Sequence, residues 1–287
     1  MIIPYAYMKS SSGSSGYTPP QTDLIGDWNP IQSKVLNSAG TGVPTDGSAM
    51  SSITDSSSNA DTATQTSSGA MPTWYASDAS RNNKPYIRFN ENRTGTINGG
   101  VTFLEIQNQF DYDSSQLTIY MVMDIVHWDS IYDGYTDYFT NSEDHDWDGG
   151  FSIHSEQAVD TYSVAASVAQ WPANELTINL SMSSPRVVIY KFFTAGLPAA
   201  YENKGGYSTG STVSYTTDTS YADFANSRQS LSGFPYPLIG TGRDALGSEP
   251  YGGIDFKLFR LLVYETYHTD AESLTITNAL KSEYNTL

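Results

Sequence analysis

Asp144, Asp146 and Asp148 alternate along Asp144-His145-Asp146-Trp147-Asp148-Gly149, the acid spacing and glycine placement of the first half of a calcium-binding loop. Carboxylates at alternate loop positions can share one hard cation, which relieves their mutual repulsion. The second half departs from that pattern, with Ser155 at the twelfth position, Glu156 one residue late and a strand-like Phe151 to His154 in place of a helix. An acidic, solvated turn between strands is the other reading. No other residues call for a cofactor, so calcium is the one candidate.

Around this turn Trp128, Tyr132, Tyr135, Tyr138 and Trp147 are interleaved with Asp129, Asp133 and Asp137. Aromatic faces stack on the C–H surfaces of sugars while carboxylates accept hydroxyl protons, which makes this stretch a candidate glycan site. The same rings could instead serve core or interface packing. Hydrolysis of a glycan needs two carboxylates about 5–9 Å apart across the scissile bond. The nearest acid cluster, Glu143-Asp144-His145-Asp146, sits in a turn-like context, and nothing positions His127, His145, His154 or His268 beside a serine and an acid. The chain reads as non-catalytic.

The elements that must carry these residues are strands. Short apolar runs separated by turn residues recur at 86–89, 101–106, 117–126, 150–154, 176–180, 186–193, 237–240 and 254–264. Leu117, Ile119, Met121, Met123 and Ile125 form one apolar face and Tyr120 and Val122 add to the other, which predicts a central strand. The 254–264 run alternates Ile254, Phe256 and Leu258 with Asp255 and Lys257, then turns apolar on both faces through Leu261, Leu262 and Val263. One helix is expected from Thr269 to Asn285. Thr269-Asp270-Ala271-Glu272 has capping-box spacing, and Ile276, Leu280 and Tyr284 make one stripe that needs a partner surface. Residues 38–69, rich in Ser, Thr and Gly, read as a long surface loop with Val43, Met50 and Ile53 as anchors.

With 287 residues the chain can be one domain and can bury roughly three quarters of its unfolded surface without a staple. Its 31 acidic residues against 14 basic ones give a net charge of −17, which repels nucleic acid and anionic membrane alike. No apolar run approaches the roughly 20 residues of a membrane span. The absence of cysteine removes disulfides, thiolate metal sites and a cysteine nucleophile. Twenty-one tyrosines among abundant Ser, Thr, Asn and Gly suit strands and an adhesive surface.

Two stretches resemble the LamG-like, concanavalin A-like lectin/glucanase family. Ile53-Thr54-Asp55-Ser56-Ser57-Ser58-Asn59-Ala60, followed by Ala63-Thr64-Gln65, Met71-Pro72-Thr73 and Lys84-Pro85-Tyr86-Ile87-Arg88-Phe89, is similar to that family's opening, with Ile53 where tryptophan is usual and Ser57 where glycine is. Phe256 to Tyr264 with Asp270, Glu272, Leu274, Ile276, Leu280, Lys281 and Tyr284 is similar to its closing strand and helix, preceded by Pro237-Leu238-Ile239-Gly240; Arg260 stands where the family has glutamate. The resemblance implies an all-β jelly-roll sandwich of two antiparallel sheets with one C-terminal helix over residues 23–287. The acid triplet that related glucanases carry on one strand face is missing.

Residues 1–22 read as a flexible arm, in which a cluster of Ile2, Ile3, Pro4, Tyr5, Tyr7 and Met8 precedes a Ser/Gly spacer able to reach a neighbouring subunit. Met1 to Ser12 lacks the basic-then-apolar layout of a secretory signal. The expectation is a structural or attachment protein on the surface of a tailed-phage virion, as head decoration, head fibre or tail appendage, whose partners are other virion or surface subunits and, at its exposed face, glycans. A secreted lectin-like carbohydrate-binding domain, extracellular, is the alternative, and a divergent glycoside hydrolase the third reading.

Overall fold

The computed structural model describes residues 16–91, 101–107, 116–127, 136–140, 151–158, 161–168, 176–179, 186–193, 203–209, 211–218, 236–243, 250–251 and 254–286. Two antiparallel sheets face one another, as the resemblance implies, and the apolar runs supply their strands. The first runs in the order Thr212–Asp218, Asn203–Thr209, Arg186–Phe193, Gln116–His127 and Asp255–Tyr264. Beyond it, Lys84–Phe89 pairs with the early part of Asp255–Tyr264 and Leu24–Trp28 with its later part, and Thr73–Asp78 follows. The second sheet runs Leu176–Asn179, Thr161–Val168, Phe151–Ala158, Thr136–Thr140, Leu238–Ile239, Leu104–Ile106 and Thr62–Thr64.

The strand Ser48–Thr54 belongs to both sheets. Its Ser48 and Ala49 pair with Trp74 and Thr73, whereas its Ser52 to Thr54 pair with Thr62 to Thr64 and its other edge takes Val35–Asn37. The surface loop expected over 38–69 is therefore corrected in its middle. Met50 and Ile53 are fully buried core residues with Ser51 and Ser52 between them, so aliphatic density alone does not reveal this strand. Val43 stays exposed.

Between the sheets, Ile119, Met121, Met123 and Ile125 of the central strand meet Phe139, Phe151, Ile153, Leu104 and Ile106 of the second sheet. Tyr190 spans the gap, donating its hydroxyl to the Val164 carbonyl at 3.0 Å. The other face of the first sheet carries a second cluster of Tyr120, Val122, Val187, Ile189, Phe259, Leu262 and Tyr264, covered by Ile276, Leu280 and Tyr284 of the helix Asp270–Tyr284. The central strand is thus buried on both faces, as its two apolar sides require. A one-residue slip between Leu258 and Arg260 in the pairing with Gln116–His127 puts both Phe259 and Arg260 on the helix side.

Arg260 is 3 % exposed and forms a two-pronged pair with Asp27, Nε to Oδ1 and Nη2 to Oδ2 at 2.8 Å each. Its Nη1 reaches Glu283 of the helix at 3.0 Å and the Tyr17 carbonyl at 2.9 Å. The family-like loop after Ile53 is locked to the same strand, because the buried Asp55 carboxylate accepts from the Asp27 and Ser57 amides at 2.6 Å each and from the Ser57 hydroxyl. Burial pushes the Asp55 carboxyl up, against these hydrogen bonds. Gly240 sits at φ +100, where a Cβ would meet the Phe89 ring at 2.3 Å, so the glycine closing Pro237 to Gly240 is a steric requirement.

The helix begins and ends with the expected devices: Thr269 Oγ1 accepts from the Glu272 amide, Glu272 reaches back to the Thr269 amide, and Asn285 adopts the left-handed conformation. Because Leu280 is fully buried in the outer cluster, Leu280→Ala should cost about 2–4 kcal/mol. Urea unfolding measures this, and an unchanged midpoint contradicts the packing described.

Candidate functional site

The last strand ends at Tyr264 and the helix starts at Asp270, so the intervening turn must cross the outer face of the first sheet. Thr118 and Lys191, neighbours by register on that face, hold it there. Thr118 Oγ1 donates to the Thr266 carbonyl at 2.7 Å and accepts from the His268 amide at 3.0 Å. Lys191, whose side chain is fully buried, donates from Nζ to the His268 carbonyl at 3.0 Å and to Asp270 Oδ1 at 2.6 Å. Its charge also lies over the rings of Tyr215 and Tyr267, 4.7 and 5.3 Å from their centroids. Burial lowers the Lys191 pKa against the pull of Asp270. Burial works against the Asp270 charge in turn, but hydrogen bonds from Lys191 and Lys204 outweigh it and hold that carboxyl below its usual range.

Beneath the turn the Tyr120 oxygen lies 2.7 Å from His268 Nδ1 and 3.1 Å from Ser273 Oγ. Tyr120, His268 and Ser273 thus form one buried chain of hydrogen bonds. Burial pushes the His268 pKa down to about 4; Lys191 adds to that and Glu272 opposes it.

Above this network lies a pocket of about 600 Å³. Pro20, Thr22 and Asp23 line it from the segment before Leu24–Trp28, Thr266, Tyr267 and His268 from the turn, and Ala271, Glu272, Thr275 and Ile276 from the helix. Its volume falls within the range of small-ligand sites, and its walls combine hydroxyls, carboxylates, one phenol ring and a few apolar groups. Hydrogen bonds from the Thr269 side chain and amide hold the Glu272 carboxyl below its ordinary range.

Of the sequence candidates, Tyr138 and the neighbouring Asp137 are among the described residues. Trp128, Tyr132, Tyr135 and Trp147 of the aromatic set, and Asp144, Asp146 and Asp148 of the calcium motif, fall outside the described residues. Tyr138 is described and lies in the core at 1 % exposure, edge-on to Phe256 with ring centroids 5.1 Å apart. The register between Thr136–Thr140 and Phe151–Ala158 slips at this point, so Tyr138 and Phe139 both turn inward. Asp137 turns the other way, where it accepts from the Ser152 hydroxyl beside His154; at 2 % exposure or less, these three groups contact protein. Among the described residues no group of three or more His, Cys, Asp or Glu could hold a metal ion. Nor is any helix among them long and apolar enough to cross a membrane.

The Thr269–Glu272 cap is legible in the sequence, whereas the pocket is not. Asp23 and Thr22 reach it only through the pairing of Leu24–Trp28 with Asp255–Tyr264, a contact no local pattern announces.

No protein-family model and no curated protein matches the chain. Solved structures do. An arabinofuranosidase in complex with arabinofuranosyl-alpha-1,2-xylobiose aligns over 93 % of this chain with TM-score 0.57 and 11 % identity, and the chain spans 60 % of its length. The binding domain of Paraclostridial Mosquitocidal Protein 1 aligns over 90 % of this chain and 52 % of its own, with TM-score 0.53 and 13 % identity. Domain 4 of a GH43 extracellular arabinanase from Geobacillus stearothermophilus, in complex with arabinotriose, aligns over 90 % of this chain and 100 % of its own, with TM-score 0.52 and 10 % identity. At these identities the likeness shows the fold alone, the two-sheet jelly-roll sandwich.

The neutral, buried His268 makes stability pH-dependent. Below its ordinary pKa of 6.5 the unfolded chain takes up a proton that the folded protein accepts only near 4. The stabilisation is therefore complete above pH 6.5 and is lost as pH falls through that window, on the order of 3 kcal/mol in all. Urea unfolding at several pH values should show this loss in the native chain and a flatter profile in His268→Gln. Parallel profiles contradict the assignment.

Proposed function

We propose that this chain is a carbohydrate-binding, lectin-like module that seats part of a glycan in the pocket at the start of its C-terminal helix. The pocket's make-up carries this reading. Carboxylates of Asp23 and Glu272 can accept sugar hydroxyl protons, threonine hydroxyls can both donate and accept, and the Tyr267 ring offers a face to sugar C–H groups. Two of the similar solved structures hold arabinose-containing oligosaccharides, and one of them is a whole domain of this extent, which supports the reading without assigning the ligand.

A finer proposal concerns where the module is displayed. The virion surface, with residues 1–22 engaging neighbouring subunits, rests on the sequence and gains nothing from the solved structures; a secreted module fits them at least as well. Residues 1–15 lie outside the described residues. From Gly16 on the segment packs on its own domain, with Pro19 buried and the Tyr17 ring 5.8 Å from the Arg260 guanidinium carbon.

A glycan array followed by calorimetry on the full chain tests the module. Binding to at least one oligosaccharide is expected, weakened about tenfold by Tyr267→Ala through loss of a ring contact, with circular dichroism showing the variant folded at the assay temperature. Failure to bind any glycan, or full affinity in the variant, contradicts the proposal.

A further inference from the structure

We infer that the pocket sorts glycans by charge, taking sugars that carry a free amine in preference to neutral ones and rejecting uronic and other acidic sugars. This rests on the reading of the pocket as a glycan site and adds the class of sugar. The start of a helix ordinarily attracts an anion, because its first amides point outward unpaired and its dipole is positive there. In this helix that role is already filled. The Glu272 amide is held by the Thr269 hydroxyl and the Ser273 amide by the Thr269 carbonyl, while Asp270 and Glu272 place two carboxylates in the first turn.

The nearby cations are engaged as well. Lys191 is buried under the turn against Asp270, and Lys204 reaches the other oxygen of the same carboxylate at 3.1 Å. Among the described residues no lysine or arginine lines the pocket, whereas Asp23 and Glu272 do. Asp23 uses its backbone carbonyl to accept from the Glu265 amide, and among the described residues no side chain donates to its carboxylate. The neutral His268 imidazole adds no positive charge to the floor. A ligand ammonium would therefore meet two carboxylates with no competing cation in the lining, and a ligand carboxylate would meet like charge. The net charge of −17 acts in the same sense at longer range.

The test uses three trisaccharides on the full chain at low salt and slightly acidic pH: the fully deacetylated glucosamine trimer, the N-acetylglucosamine trimer and the galacturonic acid trimer. Calorimetry should give the amine trimer about a tenfold advantage over the neutral one, shrinking as salt rises, and no detectable binding of the acidic trimer. In Asp23→Asn the amine-to-neutral ratio should fall towards one. An acidic trimer that binds as tightly as the others, or an amine advantage that persists in Asp23→Asn, overturns the charge sorting and leaves the glycan site standing. If none of the three binds, the charge sorting falls and the glycan reading falls with it for hexose oligomers.

Discussion

A buried ion pair, Arg260 with Asp27, joins the last strand to the first. Removing two charges from water is costly, and it is tolerated where the geometry is two-pronged and the remaining donors are satisfied. Arg260 meets that condition with Glu283 and the Tyr17 carbonyl, so one guanidinium ties the last strand, the first strand, the end of the helix and the entering chain. Breaking such a set from one side leaves a charge stranded in the core, at about 3–5 kcal/mol. An apolar residue at this position could pack, but it would not choose where the helix end sits.

Lys191 does at the helix start what Arg260 does at its end. It fixes the Glu265 to Thr269 turn through the His268 carbonyl and the first helical residue through Asp270, both from a strand on the far side of the central one. Held at two points, the helix covers Tyr120, Val122, Phe259 and Leu262 and cannot slide towards the Pro20 to Asp23 segment. The space left between them is the pocket. Its chemistry follows from the anchors, because the cations near the turn are spent on fixing the helix and the lining is left with hydroxyls, carboxylates and one ring.

Strands with dense aliphatic alternation were legible in the sequence. Gln116–His127 and Asp255–Tyr264 show their two buried faces in the order of their residues, and the helix announces its start through Thr269 and Glu272. Three features were not, for physical reasons. Ser48–Thr54 serves two sheets with Ser, Thr or Ala at every position except Met50 and Ile53, since small polar residues satisfy a strand whose outer positions are only partly covered. Tyr138 and the Phe259–Arg260 pair lie at register slips, where two consecutive residues share a face and a strict period of two misplaces one of them. Asp23 meets Glu272 across the pocket only because strand pairing brings chain ends together, and such pairing leaves no trace in local spacing.

If the turn and helix start form the ligand site, hydrogen–deuterium exchange of the full chain with and without a saturating oligosaccharide will report it. Slowed exchange is expected at residues 20–23, 266–268 and 271–276, the three segments that line the pocket. Protection that leaves these segments unchanged and falls on another surface of the sandwich would contradict that placement.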